Sequence, residues 1–227
     1  MDADSVFLDI QDFGKGPIVV FTHGWAHNRN AWDGVIDRLG KEIRSISWSL
    51  RGHGDSEAPP PGQYTRDHTM SDLARVIPDT GQKVVLAGHS LGGYLSLAHC
   101  LKHPEQVKGL VLIAAGPGFR KEETREQWNT SVTEGAKKMD IPEGSEAAAL
   151  HTDSWVIDSL GEITVPTLVI VGERDKRFAA SMAVFEKYLN VTSSIVVPDA
   201  GHSVHSKNPE PVAEAIRNFL SEIEHGQ

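Results

Sequence analysis

The sequence predicts an α/β protein with a mostly parallel sheet flanked by helices. Two observations carry this: short β-branched or apolar runs recur along the chain, and helical stretches separate them. A third bounds it. At 227 residues and 39% hydrophobic content, the chain suits one good core, so a single domain over 1–227 is expected, with one insertion at 120–163.

Val6 to Ile10 is expected as an antiparallel edge strand, turned by Gly14-Lys-Gly-Pro. The further strands are Ile18 to Thr22, Ile43 to Ser49, Lys83 to Ala87, Val107 to Ala115, Thr167 to Val171 and Ser194 to Val197. Asn30 is placed to cap a helix over Ala31 to Leu39 that Gly40 ends. Tyr94 to His103 is a helical run closed by Pro104, and Pro209 begins one that reaches about Ile223. Arg120 to Ile163 breaks the alternation. Rich in charge, Glu, Ala and Thr, it reads as short helices over Lys121 to Lys138, Ser145 to Leu150 and Asp153 to Leu160. Inserted before the sheet resumes at Val165-Pro-Thr-Leu, it is expected as a short helical cap over the sheet. Trp128, Trp155 and Leu160 either face a substrate cavity beneath it or pack the cap onto the body.

The formal charge of −9 sets 31 acidic side chains against 22 basic ones, which repels polyanions. Neither nucleic acid nor a membrane surface is expected as a partner, and acidic carrier proteins are disfavoured. Met1 to Phe7 has no basic stretch followed by an apolar one, and no later run approaches the roughly 18 apolar residues of a span. Cys100 is the single cysteine, so no internal disulfide forms and a cytoplasmic protein is expected. Asn129-Thr-Ser and Asn190-Val-Thr then read as coincidental glycosylation patterns.

The chemistry centres on Gly88-His-Ser-Leu-Gly92, where a strand runs straight into a helix. Ser90 falls at the turn, and larger side chains two residues either side of it would collide with neighbouring backbone. A serine hydroxyl needs a base. Of the 11 histidines, His202 follows the strand ending at Val197, at the carboxyl edge where Ser90 also lies; His205, three residues on, is the rival and resembles a helix entry. The imidazole needs a carboxylate. Asp175, after the strand Thr167 to Val171, suits a reach across to His202 better than Glu173 or Asp199. Two donors should hold an oxyanion: the N–H of Leu91, and that of Trp25 after His23-Gly24. The Trp25 indole is also a candidate pocket wall.

These residues resemble the α/β-hydrolase family over nearly the whole chain, in the serine esterase or lactonase-like branch. The order Ser90, Asp175, His202 matches the family, as do His23-Gly24-Trp25, Gly172-Glu-Arg-Asp175 and the Arg51-Gly-His-Gly-Asp-Ser56 loop, with Ser49 where many members carry Asp. That loop is usually architectural, so Arg51 and His53 are expected as framework. The resemblance implies cleavage of a small carboxylic ester or lactone through an acyl-enzyme on Ser90. It leaves open carbon–carbon bond hydrolysis of a diketone and a hydrolase-fold ligand receptor. An acidic substrate would call on basic cap groups such as Arg120, Lys121 and Arg125.

No cofactor or metal is implied, and the partner expected is a small acyl substrate. His99 and His103 share a helix face at i, i+4 spacing, but Cys100 points about 100° away from His99, so a third zinc ligand is missing.

Overall fold

The computed structural model describes residues 5–225; the first four residues of the amino-terminal stretch read above lie outside them. In chain order the elements are β1 (Ile10–Phe13), β2 (Ile18–Thr22), α1 (Asp33–Leu39), β3 (Arg44–Trp48), α2 (Arg66–Val76), β4 (Val84–His89), α3 (Leu91–Lys102) and β5 (Val107–Ile113). After these come α4 (Glu122–Ala136), α5 (Trp155–Asp158), β6 (Thr167–Gly172), α6 (Lys176–Tyr188), β7 (Val191–Val197), α7 (Val204–Lys207) and α8 (Pro209–His225). The strands form one seven-stranded sheet in the order β1-β3-β2-β4-β5-β6-β7. β1 pairs antiparallel with β3, and every other pairing is parallel.

Strands β2, β4 and β6 are buried along their whole length, because successive side chains feed two cores. Val20, Leu86 and Leu112 join Leu73 of α2, Leu95 of α3 and Phe185 of α6 in one. Val19, Phe21, Val85 and Val111 join Val35 of α1 and Ile216 and Phe219 of α8 in the other. The α8 helix earns its place by spacing: Val212, Ile216, Phe219, Leu220 and Ile223 form one buried stripe. Among the described residues, no helix is long and apolar enough to cross a membrane.

The two sheet edges depart from expectation. Val6 and Leu8 are buried, but their segment bonds to the loop after β3, through Glu57 N–H to Phe7 O and Ser49 N–H to Asp9 O, both at 2.9 Å. The ladder itself starts at Ile10, opposite Trp48. Apolar pattern reported burial there, not pairing. At the other edge β7 begins at Val191 rather than Ser194, a half-exposed strand that alternates with Thr192, Ser194 and Val196 facing outward. Asn28, not Asn30, makes the first cap: its side chain accepts the Asn30 N–H at 3.0 Å and opens a 3₁₀ turn over Arg29–Trp32 that precedes α1. Gly40 ends α1 as expected.

Arg51 is framework. Its guanidinium grips Asp72 of α2 through two bonds, 2.7 and 2.9 Å, and donates to the Gln63 carbonyl at 2.6 Å. Both side chains of the pair are about 2% exposed or less. Removing the carboxylate leaves a buried cation, so Asp72→Ala is expected to cost about 3–5 kcal/mol. Urea unfolding followed by circular dichroism reads this directly.

Candidate active site

Ser90 sits between β4 and α3 with φ 51° and ψ −113°, a backbone state that side chains rarely adopt. Its neighbours enforce it. The Ser90 N–H donates to the Ile113 carbonyl at 2.9 Å, and the Ser90 carbonyl accepts from Gly93 and Tyr94 at 3.0 and 3.2 Å. The flanking glycines are sterically required: a Cβ on Gly88 would fall 2.3 Å from the Gly92 carbonyl, and one on Gly92 would fall 2.1 Å from the Thr22 oxygen. The turn thus presses against the end of β2, which carries the His23-Gly24-Trp25 segment.

That segment is tied down by its own His23, to which the sequence alone assigned no separate role. His23 accepts the Leu50 N–H on Nε2 at 2.9 Å, so its Nδ1 carries the proton and donates to the Gly24 carbonyl at 2.7 Å. Burial, followed by the neighbouring His53, holds the ring neutral well below a histidine's ordinary value. The backbone N–H groups of Trp25 and Leu91 have no acceptor among the described residues. They are the two donors that the sequence nominated.

Across the site, His202 Nδ1 lies 2.8 Å from Asp175 Oδ2, and the Asp175 side chain is 4% exposed. Asp175 follows β6 and precedes α6; His202 follows β7, the strand beside β6. Phe178 stacks on the His202 ring at 4.8 Å, and His89 Nε2 reaches the His202 carbonyl at 3.0 Å. The rival groups are engaged elsewhere. Glu173 accepts the Asp199 N–H, Asp199 pairs with Arg174, and His205 is fully buried against Trp32 and His89.

Ser90, His202, Trp25, Leu91 and Trp128 line one cavity of about 680 Å³. Its volume falls in the range of small-molecule sites. Trp155 lies apart from it, contrary to one of the two expectations above. Its ring meets the Arg66 guanidinium at 5.5 Å and the Lys102 ammonium at 5.8 Å, while Leu160 is fully buried in the core. Both pack the cap onto the body, because the stretch from α5 onward lies against α3. The upper part of the cap faces the cavity instead. Asn129 there donates to the His151 carbonyl and accepts its N–H, both at 2.9 Å, which presents the His151 ring to the cavity. Burial and the nearby Arg66 lower His151 to about 4. Arg120 pairs with Asp158 and Arg125 with backbone carbonyls; neither lines the cavity.

Among the described residues, one place gathers three metal-ligating atoms. His27, His89 and His205 bring a ring nitrogen each within 4.8 Å of one another. The rings are packed together, His89 on His205 at 4.1 Å, and burial comes first among the causes that keep all three neutral. His99 and His103 face each other at 4.8 Å with Glu105 3.6 Å from His103 Nδ1, but among the described residues they do not gather into a three-ligand group, and burial pushes the Cys100 thiol up to about 11.

A family model described as the alpha/beta hydrolase fold matches residues 17–154, more than half of the chain. The chain belongs to the α/β-hydrolase family. Among its α/β-hydrolase relatives, 2-(acetamidomethylene)succinate hydrolase of Mesorhizobium japonicum is 26% identical, over 97% of this chain and 94% of that protein. Pimeloyl-[acyl-carrier protein] methyl ester esterase of Aeromonas salmonicida is 25% identical, over 94% and 99%. A thermophilic esterase from Thermogutta terrifontis, solved with malate bound, superposes with a TM-score of 0.82 at 28% identity, covering 96% of this chain and 94% of that one. Hydrolases, esterases among them, therefore surround this α/β-hydrolase in both sequence and shape.

Proposed function

We propose that the chain is a serine hydrolase that cleaves a small carboxylic ester or lactone through an acyl-enzyme on Ser90. The observation that carries this is the pair of unpartnered amides, Trp25 and Leu91, beside a serine in a cavity that His202 also lines. Leu91 N–H is one of the unpaired donors at the start of α3, and with Trp25 N–H it is free to donate to charge that builds on a substrate oxygen in the cavity. In the proposed reaction Ser90 Oγ bonds to the substrate carbonyl carbon while His202 Nε2 takes the hydroxyl proton. Nε2 is the available nitrogen, because Nδ1 faces Asp175. The carbonyl oxygen becomes an oxyanion held by the two amides. Collapse breaks the bond to the leaving alcohol, which takes the proton from His202. Water then repeats the sequence on the acyl-serine, releasing the acid and restoring Ser90.

Trp25 and Trp128 are assigned to the acyl pocket walls. The substrates named for the relatives differ, a succinate derivative in one and a pimeloyl methyl ester in another, so the acyl group has to be read from this chain's own cavity. A fluorophosphonate probe tests the mechanism. Stoichiometric labelling of Ser90, with parallel loss of p-nitrophenyl acetate hydrolysis, is the expected result. Full activity in protein whose Ser90 stays unlabelled would sink the reading.

A further inference from the structure

We propose that Arg177 binds a free carboxylate on the acyl part of the substrate, so that the preferred ester or lactone is an acidic one. This rests on the serine-hydrolase reading of the same cavity and names its substrate class.

Arginine pairing throughout the chain points to this residue. Ten of the eleven arginines donate to a carboxylate or to a backbone carbonyl. Arg177 is the exception: among the described residues its only partner is the Trp128 ring, 4.3 Å from the guanidinium carbon. That contact holds the cation where a residue of α4 meets the start of α6, without using any of its five N–H donors. Among the described residues, the cavity it lines contains no Asp or Glu, and Arg177 is its only Arg or Lys. Three of its histidines, His27, His89 and His151, are held below a histidine's ordinary value by burial and add no competing charge. In a chain of net charge −9, a lining free of carboxylates and carrying one uncommitted guanidinium is a local reversal of sign.

Helix stability does not account for the placement. The first turn of α6 carries Lys176 and Arg177 and no acidic residue, the arrangement that opposes the helix dipole. An anion beside Arg177 would be favoured both by the guanidinium and by that helix end. Phe178, the next residue, stacks on His202, so the cation stands one residue from the group that flanks the proposed base. A substrate carbonyl at Ser90 and a carboxylate at Arg177 then lie in the same cavity, with Trp128 between cap and body as a wall. The cap cations Arg120 and Arg125, which the sequence alone suggested for an acidic substrate, are already paired outside it.

The experiment compares mono-p-nitrophenyl glutarate with p-nitrophenyl pentanoate, which differ in the terminal carboxylate. Wild type is expected to favour the acid in kcat/KM by on the order of tenfold or more at low salt, with the preference shrinking as ionic strength rises. R177Q should bring the ratio to about one, chiefly through KM for the acid. R177E should invert it. R177K should keep part of it, since a point charge lacks the forked geometry. A ratio near one in wild type, or a preference that survives in R177Q, overturns the proposal. Glutarate titration followed by tryptophan fluorescence reads the subsite without turnover: a saturable change in wild type that R177Q abolishes supports it, and the same change in both proteins overturns it. A chain that bound glutarate through Arg177 yet cleaved neither ester would keep the subsite and refute the hydrolase reading, so the two failures are distinguishable.

Discussion

Ser90→Gly is expected to abolish ester turnover and to make the protein more stable. Loss of the nucleophile should lower kcat by about 10⁴-fold or more, as for serine nucleophiles generally. The stability gain follows from the backbone at φ 51° and ψ −113°. Such a state costs a residue with a side chain of order 1–3 kcal/mol, while glycine's extra freedom in the unfolded chain takes back roughly 0.5–1 kcal/mol. A net gain of about 1 kcal/mol remains, or about 2–4 °C in Tm for a chain of this size. The Ser90 side chain makes no capping hydrogen bond, so no such bond is lost with it. Ser90→Ala is the control: equally inactive, but still strained. Calorimetry of the two variants side by side decides the matter, and an alanine variant more stable than the glycine one would mean the strain is not there.

The second large effect is acid lability. Seven histidines, at 23, 27, 53, 89, 99, 151 and 205, are held below their ordinary value, and burial is the leading cause in each. In the fold they stay neutral; in the unfolded chain they take up protons below about pH 6.5. Stability is therefore intact above that pH and falls as pH drops, until the folded values themselves are reached, about 3 for His205 and about 4 for His151. Each such group costs about 1.4 kcal/mol per pH unit. At two units below the ordinary value, His205 alone removes roughly 3 kcal/mol, against the 5–15 kcal/mol typical of a whole protein. Unfolding is accordingly expected at about pH 4–5, as read by circular dichroism. His205→Phe isolates the contribution. Among the described residues both ring nitrogens of His205 lack hydrogen-bond partners, and the ring packs on Trp32, so phenylalanine should be neutral or stabilising at pH 8 and should flatten the acid limb. An unchanged acid limb would rule His205 out as a source of it.

Much of this architecture was legible because burial on both faces writes itself as continuous apolar sequence. β2, β4, β5 and β6 read that way. The edges did not, since the Val6 to Asp9 stretch, which buries Val6 and Leu8, bonds to a loop while β1 itself, largely exposed, pairs with β3, and β7 alternates between exposed and half-buried residues. Two helices were also hidden. α6 buries Phe185 alone, and α2 buries Asp72, whose burial makes sense only with Arg51 contributed from elsewhere. At the candidate site, Ser90, Asp175 and His202 were nominated because each follows a strand, and strand ends share one edge. Residues that come to the cavity through packing left no such mark. Trp155 and Arg177 show this: the one expected at the cavity is turned toward α3, and the other, which the sequence did not single out, is carried into the cavity by the first turn of α6.

The cap has a second consequence, for engineering. Since β5 and β6 are parallel neighbours, the segment between them has to carry the chain from the top of one strand to the bottom of the next. Cavity lining and sheet connectivity are written in the same stretch of polypeptide. The stretch nevertheless divides: Val156, Leu160 and Ile163 are locked into the core, whereas Trp128 and His151 look into the cavity. A graft meant to change specificity should end before Ser154, leaving the return leg native. Transplanting the whole segment would exchange the crossover along with the lid and put folding at risk.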